Sequence, residues 1–230
     1  MPSEAVLLEA CRLTRRHPDG QRCLLQDVSL TLTAGTRLSV AGPSGAGKTL
    51  LLRALALLDP LDDGEVRFQG VTVRRDAVPR FRREVIYLHQ RPALWDETVA
   101  EALERPYRLA IHRDRQFQRP RIVETLELLG RDESFLAKRA GDLSGGEGQL
   151  VALLRAWQLD PAVMLLDEPT SGLDPGTAAA VEKLLTHWVA GRPEARATVW
   201  VTHDALQAAR VADRTLLIHD GRLAEDVVLT

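Results

Sequence analysis

The sequence predicts an α/β fold with a mainly parallel sheet core, an antiparallel β subdomain at the N-terminal end and a helical lobe inserted into the core. Three observations point there. Short apolar runs alternate with helical stretches through the second half of the chain, the pattern of an open sheet covered on both faces. The first forty residues hold three strand-like runs in close succession, separated by glycine turns. Between about residues 91 and 160 the apolar positions recur mostly at helical spacing, which places a lobe inside the sheet order.

The elements follow in order. Residues 6–13, 23–32 and 37–41 read as strands, punctuated by Gly20 and by Ala34-Gly35, and the third runs directly into a glycine-rich loop. Residues 50–58 have helical character and stop before Asp59-Pro60. Strands at 65–68 and 85–88 bracket a polar stretch. From 98 to 130 the pattern is helical, with Val99, Leu103, Ile122, Val123, Leu126 and Leu129 on repeating faces. A strand at 162–166, a helix at 177–189, a strand at 198–201 and a helix at 205–211 precede a final strand pair at 215–218 and 223–229. The 230 residues suit one domain over 1–230, with the lobe at roughly 91–160 inserted in it.

Composition excludes several classes. The chain is 45% hydrophobic and 27% charged, ordinary for a soluble globular protein. No apolar run approaches the roughly 20 residues that cross a bilayer, and the acidic Glu4 and Glu9 speak against a secretory leader. A soluble, cytoplasmic chain is therefore expected. Cys11 and Cys23 match no metal-ligand spacing and read as reduced thiols on neighbouring strands. The net charge of −2 gives no footprint for nucleic acid, so no such partner is expected; the arginines between 74 and 121 are interspersed with acids, as on a solvated face. Among 30 Lys and Arg, only Lys48, Lys138 and Lys183 are lysine, so where lysine stands the position is expected to demand it.

Gly42-Pro43-Ser44-Gly45-Ala46-Gly47-Lys48-Thr49 fits the phosphate-binding pattern G-x-x-x-x-G-K-[ST], after a strand and before a helix as that loop requires. Glycines let backbone N–H groups turn toward phosphates, and the helix offers its N-terminus to negative charge. Lys48 is placed to reach β- and γ-phosphates, and the Thr49 hydroxyl to ligate Mg²⁺. The competing view is a glycine-rich turn with an exposed lysine, which fits poorly in a chain that otherwise chooses arginine.

Residues 162–168, AVMLLDE, form an apolar strand ending in two carboxylates, which resembles the second nucleotide motif, Walker B. Asp167 would face the metal held by Thr49, and Glu168 would polarise the attacking water as general base. Taken alone, the same pattern equally describes a core strand with a solvated acidic turn.

Leu143-Ser144-Gly145-Gly146-Glu147, ahead of a helix, resembles the signature of the ATP-binding-cassette (ABC) family. It also reads as a helix cap, with Ser144 at N-cap and Glu147 at N3, and both can hold at once. Other elements resemble the family in order over about residues 5–225. Gln90 matches the glutamine that senses the γ-phosphate and joins the metal shell, Ser171-Gly172-Leu173-Asp174 the loop that reaches the nucleotide through Asp174, and His203 the switch histidine. The resemblance implies a P-loop ATPase that uses ATP and Mg²⁺, with Glu168, His203 and Gln90 in catalysis. It also implies that Ser144, Gly145 and Gly146 of one copy complete the ATP site of another, so that the working unit is a homodimer around two nucleotides. A separate integral membrane permease would hold it at the inner face of the cell membrane. The alternatives are a non-transport ABC ATPase in DNA repair or translation, or a plain P-loop kinase or GTPase.

Three departures stand out. The ring that stacks on adenine in the family falls here to His17, aligned on Asp19-Gly20. No basic residue flanks Gln149, and Thr36 stands where an acid is common. Residues 90–99, QRPALWDETV, look similar to Fet-type cassettes that work in iron export; lipoprotein-releasing, macrolide-export and phosphate-import cassettes are the neighbouring alternatives. Trp95 in that stretch is expected either to anchor the permease or to fold into its own lobe.

Overall fold

The computed structural model describes residues 5–228. Residues 1–4, which bear on the reading of the leader, and Leu229, the expected end of the last strand, lie outside the described residues.

Strands β1 (Val6–Arg16) and β2 (Cys23–Thr33) form an antiparallel hairpin, to which β4 (Asp63–Phe68) and the short β5 (Val71–Thr72) add in the order β2-β1-β4-β5. The second sheet has six strands. Here β3 (Arg37–Ala41), β6 (Val85–Leu88), β7 (Val163–Asp167), β8 (Ala197–Val201) and β9 (Arg214–His219) pair in parallel, and β10 (Arg222–Val228) joins antiparallel at one edge. Its order is β10-β9-β3-β8-β7-β6, which sets the two strands that end in chemistry, β3 and β7, either side of β8.

Helix α1 (Lys48–Leu55) follows β3, α2 (Val78–Glu84) precedes β6, and α6 (Pro175–Ala190) and α7 (Ala205–Val211) connect β7, β8 and β9. Between β6 and β7 lie α3 (Val99–Glu104), α4 (Arg119–Leu128) and α5 (Gly145–Trp157), joined by 3₁₀ turns. Side-chain caps start four of these helices, and at α7 Asp204 accepts the Leu206 N–H at 2.8 Å. Thr98 and Glu101 form a capping box at α3, Ser144 and Glu147 another at α5, and Asp174 accepts the Thr177 N–H at 3.0 Å at α6, with Pro175 at the first helical position.

Because strand side chains alternate, β7 and β8 serve two cores. Val163, Leu165 and Val199 pack with Leu52, Leu25 and Val40 on one face; Met164, Leu166 and Trp200 pack with Leu150, Leu154 and Leu185 on the other. Cys11 and Cys23 are free thiols on β1 and β2.

Three differences from the sequence reading have physical causes. The stretch 98–130 is not one helical run: 3₁₀ turns at Arg105–Arg108 and Ala110–His112 interrupt it, the first with Pro106, which lacks the N–H a continuing helix needs. The polar stretch after β4 holds β5 and α2; α2 buries only Phe81, so it left no apolar stripe to read. Helix α1 begins at Lys48 and ends at Leu55, and the chain turns at Leu57, which has a positive φ of 53°.

Candidate functional site

The loop from Gly42 to Gly47 leaves β3 and enters α1 through a turn in which the Ala46 N–H donates to the Pro43 carbonyl at 3.2 Å. Gly42 is a position only glycine can fill: its φ is +153°, and a Cβ would run into the carbonyl oxygen of Ile218. Ser44 and Gly45 are exposed at the tip of the loop. Lys48 Nζ folds over the loop and donates to the carbonyls of Gly42 and Pro43 at 2.8 and 2.9 Å.

At the end of β7, Asp167 is 2% exposed, and both its oxygens are engaged. The Thr49 hydroxyl donates to Oδ1 at 3.2 Å and the Tyr87 hydroxyl to Oδ2 at 2.9 Å. The fold thus brings Thr49 and Asp167 together across β3 and β7. Burial, first, and then the Asp167 charge raise the Tyr87 phenol well above its usual value, so it stays a donor. Tyr87 escaped the sequence reading: it sits inside β6 with no local motif.

Glu168 sits in the left-handed region with φ +47°, where a non-glycine residue is strained. Its backbone is clamped there. The Glu168 N–H donates to the Val201 carbonyl at 3.1 Å, while its own carbonyl accepts from Ser171 N–H at 3.2 Å and from Gln149 Nε2 at 3.4 Å. The bend aims the carboxylate out of the strand, where Gln90 Nε2 donates to Oε2 at 2.7 Å and His203 Nδ1 stands 3.6 Å from Oε1. Gln90, Glu168 and His203, which come from three separate strand ends, therefore meet.

A second missed residue joins these loops. Gln207 accepts from the Thr202 hydroxyl at 2.7 Å and donates to Thr170 Oγ1 and Glu182 Oε1, both at 2.8 Å. It ties the segment before His203 to the loop after Glu168, and its signal lies in spatial neighbours far apart in sequence.

The remaining expected residues lie apart from the phosphate loop. Ser144 and Gly145 line a cleft of about 490 Å³ with Gln90, Leu94, Gln149 and Ser171, and neither Lys48 nor Thr49 belongs to it. Gly146 abuts Gly172 so closely that a Cβ on Gly146 would strike the Gly172 carbonyl oxygen. The Asp174 carboxylate caps α6, and the Thr177 hydroxyl and amide hold it below the usual carboxylate range. His17 lies in the turn after β1, its Nδ1 2.8 Å from Asp19 Oδ2. Trp95 is 64% exposed, with the Arg105 guanidinium stacked 3.8 Å from its ring centre.

The donors around Asp167 are hard oxygens, as Mg²⁺ prefers. Among the described residues, no group of three His, Cys, Asp or Glu side chains could hold a metal by itself. The Thr49 hydroxyl and the Asp167 carboxylate, side by side, fit an ion that arrives with phosphate oxygens and water.

A parallel sheet with a phosphate loop between strand and helix, and an acidic strand end hydrogen-bonded to that helix, defines a P-loop nucleotide hydrolase. Comparison with known proteins narrows the class. Residues 25–171 match the family model described as ABC transporter. A Haloferax volcanii protein named "Probable anion import ATP-binding protein" is 39% identical, over 91% of this chain and 76% of its own length. A phosphate import ATP-binding protein of Natronomonas pharaonis is 35% identical over 88% and 74%. An Fe(3+) ions import ATP-binding protein of Rhodococcus jostii is 36% identical over 90% of this chain, which spans only 58% of that relative. The solved structure of a dimeric ATP-binding cassette in a post-hydrolysis state, bound to ADP and Pi, superposes with a TM-score of 0.86 at 27% identity, covering 97% of this chain and 99% of the other. The chain belongs to the ABC transporter family and is an ATP-binding cassette, an ATPase coupled to transport. No helix among the described residues is long and apolar enough to cross a membrane.

Proposed function

We propose that two copies of this chain pair head to tail around two ATP molecules and that the closing and opening of the pair drives a separate membrane permease. The observation that carries this is the separation of the two anion-binding loops. Ser144 and Gly145 open into a cleft with Gln90 and Ser171 that excludes the chain's own Lys48 and Thr49, which leaves this face for another copy. One phosphate loop and one signature per chain then make two complete sites in a symmetric dimer. The solved cassette of similar fold that is dimeric and bound to ADP and Pi supports pairing of two copies.

In each site the glycine-rich loop and Lys48 would cradle the phosphates. Lys48 would give up the carbonyls of Gly42 and Pro43 for phosphate oxygens. Thr49, Asp167 and Gln90 would hold Mg²⁺, which supplies charge neutralisation on the β- and γ-phosphates. Glu168 would accept the proton of the attacking water, and His203, beside it, would contact the γ-phosphate. The partner's Ser144 and Gly146 would bind the same phosphate from the far side, with Asp174 at the loop between the two sites and His17 against the base.

For the direction of transport, the relatives named above are import proteins for anions, phosphate and Fe(3+), and they support import over the iron export that residues 90–99 imply. The cassette would then lie on the inner face of the membrane, held there by its permease. Light scattering of the Glu168→Gln chain with Mg²⁺ and ATP tests the pairing: ATP should convert monomer to dimer. A chain that binds ATP and stays monomeric at all protein concentrations rejects it.

A further inference from the structure

Glu147, in the first turn of α5, places a carboxylate beside Ser144, which in the proposed pairing meets a triphosphate. Its Oε2 accepts the Ser144 N–H at 2.9 Å, and its own N–H donates to the Ser144 hydroxyl at 3.2 Å, so it cannot swing away without undoing the start of α5. A bare negative charge there would oppose a polyanion through the same low-dielectric edge that makes the backbone donors effective.

The remaining oxygen, Oε1, is taken by Lys138 Nζ at 2.7 Å. The ammonium lies 5.7 Å from the centre of the Phe135 ring, whose side chain is buried in the lobe, and the Lys138 carbonyl accepts the Val99 N–H at 2.9 Å. Backbone and side chain together aim this cation at one carboxylate. Lys138 is also among only three lysines in a chain that otherwise uses arginine.

We propose that Lys138 is a positioning residue for the ATP-bound dimer: it neutralises Glu147, so that Ser144 and Gly146 meet the partner's γ-phosphate with no uncompensated carboxylate beside them. The proposal rests on the head-to-tail pairing above. Lys138 and the Ser144 amide hold the Glu147 carboxyl below its usual range, so removing the ammonium leaves a charge rather than a neutral acid. Lys138 is 44% exposed and Glu147 17%, and a pair whose cation is so exposed contributes little to folding. Its effect is therefore expected in nucleotide-driven association and not in the melting temperature.

The test uses the full chain in the Glu168→Gln background, with ATP-driven dimerisation followed by light scattering and monomer ATP binding by fluorescent-nucleotide titration. Adding Lys138→Ala should weaken dimerisation by about tenfold or more, most at low salt. Monomer ATP binding should hold, and the melting temperature should stay within about 2 °C. Adding Glu147→Gln to Lys138→Ala, or using Lys138→Arg alone, should restore dimerisation to within about threefold. Equal dimerisation of the Lys138→Ala chain overturns the proposal, and so does a loss that Glu147→Gln fails to reverse. If the Glu168→Gln parent itself does not dimerise, the pairing is rejected and the role of Lys138 falls with it.

Discussion

Gln90 and Glu168 hold each other: the Gln90 amide donates to the Glu168 carboxylate at 2.7 Å, although 78 positions separate them. In this arrangement one carboxylate oxygen accepts the amide, while the other faces the His203 ring at 3.6 Å.

The first prediction follows from that pair. Glu168→Gln should leave ATP affinity intact, because Lys48 and the glycine loop are untouched, yet reduce turnover by at least about 10²-fold. Single-turnover phosphate release is the measurement. Turnover within a few-fold of the parent would remove Glu168 from the role of base.

Tyr87 gives the second. Its hydroxyl fixes one Asp167 oxygen while Thr49 holds the other, so Tyr87→Phe should free Asp167 to rotate and raise the Mg²⁺ concentration needed for half-maximal activity by about 10- to 100-fold. Nucleotide binding in EDTA should not change. Because burial and the Asp167 charge push the phenol above its usual value near 10, its donating form persists as pH rises. The Mg²⁺ requirement of the parent should therefore show no phenol titration up to pH 10. An unchanged Mg²⁺ requirement in Tyr87→Phe would leave the hydroxyl a packing feature only.

Trp95 gives the third. Its ring does not fold into the lobe; it stands exposed with Arg105 against one face, and Arg105 is in turn paired with the buried Glu97. Losing one exposed cation–π contact costs about 0.5–1 kcal/mol, so Trp95→Ala should melt only a few degrees lower. ATP binding should be normal, while stimulation of the ATPase by the permease in membranes should be lost. Full stimulation per folded molecule would end the idea of an interface anchor.

His17 gives the fourth. The ring is small, and Asp19 already holds its Nδ1, so stacking on a base should be weak and selectivity between ATP and GTP modest. Competition titrations of the parent and His17→Ala measure it. If neither affinity moves, the ring does not touch the base.

The sequence foretold much of this architecture because the phosphate loop, the acidic strand end and the signature are contiguous runs whose chemistry needs neighbours in order. The cap at Ser144 was legible for the same reason, whereas the Asp174 cap came only with the structure. The partners of Tyr87, Gln149, Gln207 and Lys138 were not legible, since each acts on a group brought near only by sheet order or by the packing of the lobe. Helix α2 escaped because an arginine-rich turn of helix that buries a single phenylalanine has no periodicity to detect. The break at Pro106 was visible as a residue, but the helical faces around it extended the pattern across the gap.

Gly146 and Gly172 touch with no room between backbones, and their relation is one-sided. Even an alanine methyl on Gly146 would strike a carbonyl oxygen, whereas one on Gly172 would meet the Gly146 backbone at an ordinary 3.5 Å. The signature turn and the turn after the acidic strand are therefore two teeth of one gear. The helix start that carries Gly146 and the turn that leads back to Ser171 and Glu168 meet backbone to backbone. The closeness of the signature turn to the chain that follows Glu168 thus comes from the omission of a single carbon atom.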